Sequence, residues 1–415
     1  MTEPLGPHFF RHEYGRLVAM LARRVGVRHL DVVEEAVQSA LLTAVETWPK
    51  GGVPENPSAW LYRVAFNQST GELRRRARRS ELTEQARETA PSSPDEVDSA
   101  FLSGDVRDDL LRMLFICCDD AIPVESQLVL ALKVLCGFDV REIAERLFIT
   151  QANVYKRLGR ARERLCELNF QVDDLATAEL SARLPAVQAI LYLLFTEGYL
   201  SSHAEGPIRR ELCEEALRMA KLLAEHPVSA GPETYALLAL MYLHSARLPA
   251  RQDESGGLHL LEEQDRTAWN QDEIRLGLSW LSRSAEGDVF SRYHAEAGVG
   301  AEHCLAPSFA ETRWERIVAC YELLDRVAPS ALHTLNRAIA VAEWRGADHG
   351  LAVLEGLEPP AWLEGSYLWF AVLADLHRRA GNVDRARQYR EAALASAPSP
   401  AIKNALERRL HAVFT

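Results

Sequence analysis

The sequence predicts an all-α protein with two small helical domains joined by a linker and followed by a helical-repeat domain. Apolar residues recur at steps of three and four through most of the 415 residues, which is the period of one face of a helix. The clearest example is the stretch 140–165, where two short amphipathic patterns meet at a tight turn. The second half reads as helical throughout, with interruptions containing Gly and Pro that mark loops.

Composition indicates a globular protein with a sizeable core, because 47% of the residues are hydrophobic and 26% are charged. The net charge of −12 is uneven: residues 1–170 contain 23 basic and 25 acidic residues, and the remainder contains 24 and 34. Basic stripes suited to nucleic acid occur only in the first half. No apolar run approaches the ~20 residues that cross a bilayer, the first residues contain no signal-peptide core, and the seven cysteines form no CxxC pair. We therefore expect a cytoplasmic protein with reduced thiols and no membrane partner.

The stretch 140–165 has the layout of a helix-turn-helix. Val154, Leu158 and Leu165 recur at helical spacing and predict the buried face of the second helix. Thr150 precedes that helix, and its hydroxyl can accept a hydrogen bond from an unpaired amide of the first turn. The remaining faces are basic, so the start of the helix suits a DNA major groove. The alternative is an ordinary surface helix rich in arginine.

A second amphipathic helix is predicted over Leu30–Trp48. Its apolar positions, which include Val45, are expected to face the core, and its other side is acidic. An acidic face of this kind can dock a partner protein, or it can simply be solvated. The exposed side is expected to carry Asp31, Glu34, Glu35, Gln38 and Glu46.

A third helix is predicted over 59–79, and it ends in a dense cluster of arginines. Trp60 and Leu61 begin its buried face. Five guanidinium groups within six residues can hardly all pair inside the protein, and they suit DNA phosphates. Asn67 and Gln68 precede the cluster with amides that suit a base edge, although a core or ordinary surface role is equally compatible. The arginines are Arg74, Arg75, Arg76, Arg78 and Arg79.

These patterns divide the chain into four segments. Residues 1–80 form the first helical domain, and residues 81–108 form an acidic linker with little apolar periodicity. Residues 109–170 contain two helices, the first starting at Asp109, and then the helix-turn-helix. Residues 173–415 form the C-terminal helical domain.

The first half resembles the extracytoplasmic-function (ECF) sigma factors of bacterial RNA polymerase. The resemblance covers residues 9–168. It rests on WLYRVAFN with its basic helix end, on the acidic linker, and on FDVREIAERLFITQANVYKRLGRARERL, in that order and spacing. It implies that Leu30–Trp48 binds the clamp of core RNA polymerase and that Asn67 captures a flipped base of the minus-ten promoter element. It also implies that Gln151–Arg160 recognises the minus-thirty-five element.

The resemblance thus implies three sets of site residues, with core RNA polymerase and promoter DNA as partners. The minus-ten surface comprises Trp60, Arg63, Asn67, Gln68, Arg74, Arg75, Arg76 and Arg78. The minus-thirty-five surface comprises Thr150, Gln151, Asn153, Lys156, Arg157 and Arg160. The polymerase surface comprises Asp31, Glu34, Glu35 and Gln38.

Two stretches of the second half, Trp314–Leu354 and Ser366–Leu406, resemble tetratricopeptide (TPR) hairpins, with small residues where helices cross. Together with YLLFTEGY and LLEEQDRTAWNQDEI, they are similar to the C-terminal extension of one ECF group. In that group the extension is thought to govern sigma activity in place of a separate anti-sigma protein. We therefore expect this domain to have an intramolecular or protein partner.

The sequence favours a regulatory protein over an enzyme. His294, Glu296 and His303 lack the spacing of a helical zinc site, and we expect no metal and no cofactor. An internal polar network is the favoured role for Glu197, Gln264, Asp265, Arg266 and Asn336. Two alternatives stay open: a one-component helix-turn-helix activator with a TPR-like sensor domain, and a helical enzyme with an incidental DNA-binding module.

Overall fold

The computed structural model describes residues 7–80, 103–147, 149–168, 177–200, 208–253 and 257–411. Within these ranges the secondary structure is helical, apart from one isolated bridge between Gln252 and Leu258. The predicted all-α fold class is therefore confirmed. The chain divides into two compact units, Met1–Ile190 and Leu191–Thr415.

The first unit begins with three helices that pack around one another. Leu17, Val33 and Leu61, one from each helix, are buried in their common core. Trp48, near the end of the second helix, lies edge-on to Trp60, with ring centroids 5.6 Å apart. The helices are α1 (Pro7–Val25), α2 (Leu30–Gly51) and α3 (Pro57–Ser80), with a 3-10 turn at Val27–His29.

Four more helices and the start of another complete the first unit. Phe115 and Phe138 are fully buried among them. The first of these helices starts at Ser103 rather than at Asp109, because residues 103–108 carry no apolar period that the sequence analysis could detect. Residues 81–102 of the predicted linker lie outside the described residues. The helices are α4 (Ser103–Cys117), α5 (Val124–Val134), α6 (Val140–Leu147), α7 (Gln151–Leu168) and α8 (Thr177–Tyr199).

Helix α1 joins the two halves of the first unit, because it packs on α4 and α5 as well as on α2 and α3. The approach is close at Gly15, where a Cβ atom would lie 2.2 Å from the carbonyl oxygen of Leu135. Arg23 of α1 also forms an ion pair with the buried Asp109 at 2.9 Å. The two predicted domains of the first half are therefore packed together.

In the second unit, successive helices pack on their neighbours in the chain. The two predicted hairpin stretches, 314–354 and 366–406, each contain a pair of adjacent packed helices. Ala386 and Ala393, two of the small residues noted in the second stretch, are buried. The helices are α9 (Arg210–Glu225), α10 (Pro232–Ser245), α11 (Gln271–Ser284), α12 (Arg292–Leu305), α13 (Trp314–Val327), α14 (Ala331–Arg345), α15 (Ala347–Leu354), α16 (Ala361–Glu364), α17 (Tyr367–Arg379), α18 (Val383–Ala395) and α19 (Pro400–His411).

Over Ala178–Tyr199, helix α8 is long and apolar enough to cross a membrane by length and composition alone. Two of its side chains form polar contacts with the protein. Arg183 forms an ion pair with the buried Asp119 at 2.6 Å, and the Tyr192 hydroxyl donates to Glu296 at 2.8 Å.

Candidate nucleic-acid and polymerase interface

Helix α3 presents an exposed amide on one face and buries the opposite face. Asn56 caps the helix by accepting from the backbone amide of Ala59 at 3.1 Å, and Pro57 occupies the first helical position. Arg63 and Asn67, four residues apart, are both exposed, so they lie on one face. Within the described residues the Asn67 side chain forms no hydrogen bond, so its amide is available to a ligand.

Two other predicted minus-ten residues, Trp60 and Gln68, are less accessible. Trp60 is half-buried because its ring packs against Trp48. Gln68 is half-buried, and its buried Oε1 atom has no hydrogen-bond partner among the described residues. Of the two amides that the sequence analysis proposed for base contacts, the structure brings Asn67 to the surface.

The arginines that end α3 differ in how far their charges are already neutralised. Arg76 forms ion pairs with Asp31 of α2 at 2.8 Å and with Glu72 at 3.4 Å. Arg75 also pairs with Glu72, at 3.1 Å. Arg74 and Arg78 are exposed and form no ion pair in the part of the chain that the structure describes. They are therefore the most available cations of this cluster.

The Arg76–Asp31 contact shifts the pKa of both groups. Partial burial acts to raise the pKa of Asp31, but the hydrogen bond and charge of Arg76, together with the backbone amide of Val32 and the Arg162 charge, hold that pKa below its usual value. The same hydrogen bond raises the pKa of Arg76. One predicted minus-ten residue and one predicted polymerase residue thus hold each other in place.

Helices α6 and α7 form the predicted helix-turn-helix. The predicted N-cap is confirmed, because the Thr150 hydroxyl accepts from the amide of Asn153 at 3.2 Å. The predicted apolar stripe is confirmed as well: Val154, Leu158 and Leu165 are buried, the most exposed at 3%. Phe148, which was expected to form the corner, lies outside the described residues.

The outer face of α7 is polar and basic. Gln151, Lys156 and Arg160 are exposed, while Asn153 and Arg157 are half-buried. Tyr155 was not among the predicted DNA-binding residues, but its side chain lies between them and is 62% exposed. Because Tyr155 does not fall on the apolar stripe, the sequence pattern already indicated an exposed position. A large exposed ring on a recognition helix suits apolar contact with a thymine methyl group.

The acidic face of α2 differs from its prediction at Glu34. This carboxylate was predicted to lie on the exposed side, but Glu34 is only 4% exposed and accepts a hydrogen bond from Arg162 Nη2 of α7 at 2.7 Å. The cause is the packing of α7 on the 3-10 turn before α2. Burial raises the pKa of Glu34, and the Arg162 charge opposes that rise.

Two apolar residues of α2 are exposed where the sequence predicts none. Val45 was expected in the core, yet its side chain is 55% exposed, and Leu42 is 64% exposed. With Glu35 and Gln38 they follow steps of three and four along α2, so they share one face. We call residues 35, 38, 42 and 45 the α2 stripe. An exposed apolar stripe with a polar end is typical of a protein-docking surface.

Comparison with known proteins finds family-model matches in three parts of the chain. The family model for sigma-70 region 2 matches residues 10–79, and the model for sigma-70 region 4 matches residues 112–165. The chain belongs to the sigma-70 family. It is an ECF-like sigma factor with a C-terminal extension, and residues 183–285 of that extension match a family of unknown function (DUF6596). Sigma-70 regions 2 and 4 imply binding of core RNA polymerase and promoter DNA in transcription initiation, and sigma factor families are not enzymes.

One relative aligns with most of the chain. An uncharacterised protein of Rhizobium meliloti (strain 1021) is 33% identical over 375 residues, which cover 89% of this chain and 87% of that protein. The similarity therefore extends well into the C-terminal helices. No solved structure matches the chain.

The residues considered for a metal site serve other roles in this sigma factor. His294 Nδ1 accepts from the amide of Ser291 at 3.1 Å and closes a capping box at the start of α12. Glu296 pairs with Arg292 at 2.8 Å. Among the described residues, no group of three metal-ligating side chains comes together.

Proposed function

We propose that this sigma factor directs core RNA polymerase to specific promoters, and that its C-terminal helical unit controls this activity. The proposed promoter recognition rests on two separate exposed polar faces. One is on α3, within sigma-70 region 2, and the other is on α7, within region 4. Each face is backed by a buried apolar face of the same helix, so each is held in a fixed orientation. We expect the protein to act in the cytoplasm, where polymerase and promoter are found.

Promoter opening is assigned to α3. A base that leaves the stack costs a few kcal/mol, and an exposed amide that hydrogen-bonds the base edge offsets that cost. Asn67 has such an amide, and Arg74 and Arg78 lie on the same helix with cations for the neighbouring phosphates. Trp60 and Arg63 are the further members of this surface.

Recognition of the upstream element is assigned to α7. Gln151 and Asn153 lie in its first turn, where a recognition helix meets base edges. Lys156, Arg157 and Arg160 follow with cations for guanines or phosphates. Thr150 fixes where the helix starts, and its hydroxyl is already engaged as the cap.

Polymerase binding is assigned to the α2 stripe together with Asp31. The side chains of Leu42 and Val45 supply apolar area, and Glu35 and Gln38 supply polar contacts. Glu34 is excluded from this surface while it is paired with Arg162. A one-component activator does not need such a surface, so retention of core polymerase by the purified protein separates the two functions.

Control by the C-terminal unit rests on the resemblance of residues 173–415 to the TPR-like extension of one ECF group. Helices that pack in chain order give such a unit a continuous surface for a partner. The test is promoter-specific transcription by the full chain and by a truncation after Ile190. Ile190 is the correct end point, because Arg183 of α8 completes the buried pair with Asp119 in the first unit.

The truncation is expected to change the amount of promoter-specific transcript, upward if the C-terminal unit inhibits and downward if it activates. Circular dichroism of the truncated chain serves as the control for folding. Equal output from two folded proteins would remove the regulatory role and would leave the sigma role intact.

A further inference from the structure

Three arginines of the second unit lie within electrostatic reach of one of their number, Arg247, and form no ion pair with a carboxylate among the described residues. Arg247 directly precedes the 3-10 turn Leu248–Ala250, Arg251 directly follows it, and Arg266 begins the 3-10 turn Arg266–Ala268. Arg247 and Arg251 are each only 8% exposed, and Arg266 is half-buried. We call these three residues the arginine cluster.

Aromatic rings hold the guanidinium groups of the cluster. The Arg251 guanidinium lies 3.7 Å from the centroid of the Tyr199 ring. Those of Arg247 and Arg266 lie 5.3 and 4.7 Å from the centroid of the Trp269 ring. Cation–π contact stabilises a buried guanidinium but leaves its charge uncompensated.

Hydrogen bonds satisfy only part of the cluster. Arg266 Nη1 donates to the carbonyl oxygens of His303 and Ala306, and Arg247 Nη2 approaches the Gln264 amide oxygen at 3.5 Å. Arg247 Nε, Arg251 Nη1 and Arg266 Nη2 are buried and have no acceptor among the described residues. A hydrogen bond with Tyr199 also acts on Arg251. Within the described residues none of the three arginines forms an ion pair, so three donors have no acceptor and three charges have no anionic partner.

The neighbouring histidines neither compensate the charge nor add to it. Burial lowers the pKa of His303 to about 3, and it lowers that of His244 well below its usual value, with the arginine charges acting in the same direction. Both rings are therefore neutral at physiological pH. Arg247 contributes to the shifts of both histidines and of Arg251 and Arg266, so it lies within electrostatic reach of all of them.

The cluster contrasts with the other arginines of the same unit. Arg337 pairs with Asp325, Arg292 with Glu296, and Arg408 with Glu263. Buried charges in proteins are normally paired in this way, because an uncompensated charge is costly to remove from water. Since three such charges also repel one another, the cluster favours the binding of an anion.

We propose that the arginine cluster binds a small oxyanion with about two negative charges, either a phosphate group or a dicarboxylate. The guanidinium fork matches the oxygens of both groups, and charge-assisted hydrogen bonds of this kind are the strong ones. Arg247 Nε, Arg251 Nη1 and Arg266 Nη2 donate to the oxyanion. Arg266, the most exposed member, lies at the solvent side of the site. Residues 183–285, which match a family of unknown function, contain all three arginines.

The test is calorimetric titration of the full chain with sodium phosphate and, separately, with sodium malonate, at constant ionic strength in a buffer without other oxyanions. We expect saturable binding of one anion per chain by at least one of the two, and the responding anion identifies the ligand class. Arg247→Gln and Arg251→Gln are expected to weaken binding about tenfold or more. Arg283→Gln is the matched control, because that exposed guanidinium also lies over aromatic rings, those of Tyr235 and Trp280, and it should bind as the wild type does.

A second measurement needs no variant. The thermal transition of the second unit should rise with phosphate or malonate concentration, compared with sodium chloride at equal ionic strength. The proposal is overturned if neither anion binds or raises this transition. It is also overturned if binding survives unchanged in both Arg247→Gln and Arg251→Gln. Because the readout is binding, a negative result leaves the sigma role untouched.

Discussion

Glu34 of α2 and Arg162 of α7 form a 2.7 Å ion pair that connects sigma-70 regions 2 and 4 within the first unit. The carboxylate is 4% exposed, whereas the Arg162 side chain is about one-third exposed. The acidic member of the pair is therefore buried, and the basic member is partly exposed to solvent. It is accompanied by the Arg23–Asp109 pair and by the close contact at Gly15.

The first prediction concerns this pair. Arg162→Ala leaves the buried Glu34 carboxylate without its cation, which should loosen the contact between α2 and α7. Breaking a fully buried pair costs about 3–5 kcal/mol, and partial exposure of Arg162 reduces the expected loss to about 1–3 kcal/mol. Hydrogen–deuterium exchange of the full chain should show faster exchange in both helices. Arg164→Ala is the control, because its pair with Glu167 on the same helix is exposed; equal exchange in the two variants would contradict the role of the pair.

The second prediction concerns polymerase binding by the α2 stripe. Leu42→Asp places a charge where an apolar side chain should be buried by polymerase, and we expect at least about tenfold weaker binding of core polymerase. The substitution is at a 64% exposed position, so the fold should be retained. Val124→Asp, at a 54% exposed position at the start of α5, is the matched control. Comparable affinities of the two variants would rule out the stripe as the polymerase surface.

The third prediction separates the arginines at the end of α3. Arg74→Ala and Arg78→Ala should each reduce the slope of log affinity against log salt by about 1, because each removes an available phosphate contact. Arg76→Ala should change the slope less, since Arg76 is already paired with Asp31 and Glu72. Promoter-DNA affinity at a series of salt concentrations measures the slopes. A larger effect at Arg76 than at Arg74 and Arg78 would show that its ion pairs open on DNA.

The fourth prediction concerns pH. Burial lowers the pKa of His303 to about 3 in the folded protein, against about 6.5 in an unfolded chain. Between these values the unfolded state holds a proton that the folded state lacks, so the second unit loses stability as pH falls from about 6.5 towards 3. The slope contributed by this group is at most about 1.4 kcal/mol per pH unit.

Removing the imidazole should remove that contribution. We expect His303→Gln to flatten the dependence of the unfolding free energy of the second unit on pH between 6 and 4. His349→Gln, at an exposed position on α15, controls for the loss of a histidine. Identical pH slopes for the wild type and His303→Gln would show that this histidine is protonated while folded.

Local patterns made part of this molecule predictable. Helical periodicity predicted the buried stripe of α7, and the residue type of Thr150 predicted the N-cap of that helix. Both features depend on neighbours within a few positions of the sequence. Glu34 could not be placed in the same way, since its burial depends on Arg162, which is 128 residues away in the chain. Leu42 and Val45 are apolar but exposed, because the helix turns them away from α1 and α3, and the arginine cluster lies on irregular turns that carry no period.

The central claim is that this chain brings core polymerase to promoters through two separate DNA contacts. It is tested most directly by transcription with core polymerase on a random-sequence promoter library, followed by mapping of start sites and permanganate detection of open DNA. We predict discrete start sites. Asn67→Ala should lose promoter opening but keep duplex binding. Arg160→Ala should bind the duplex more weakly, by about 1–3 kcal/mol if the contact is to a base edge. Absence of any start site with both the full chain and the truncation after Ile190 would contradict the claim, as would equal effects of both variants on both steps.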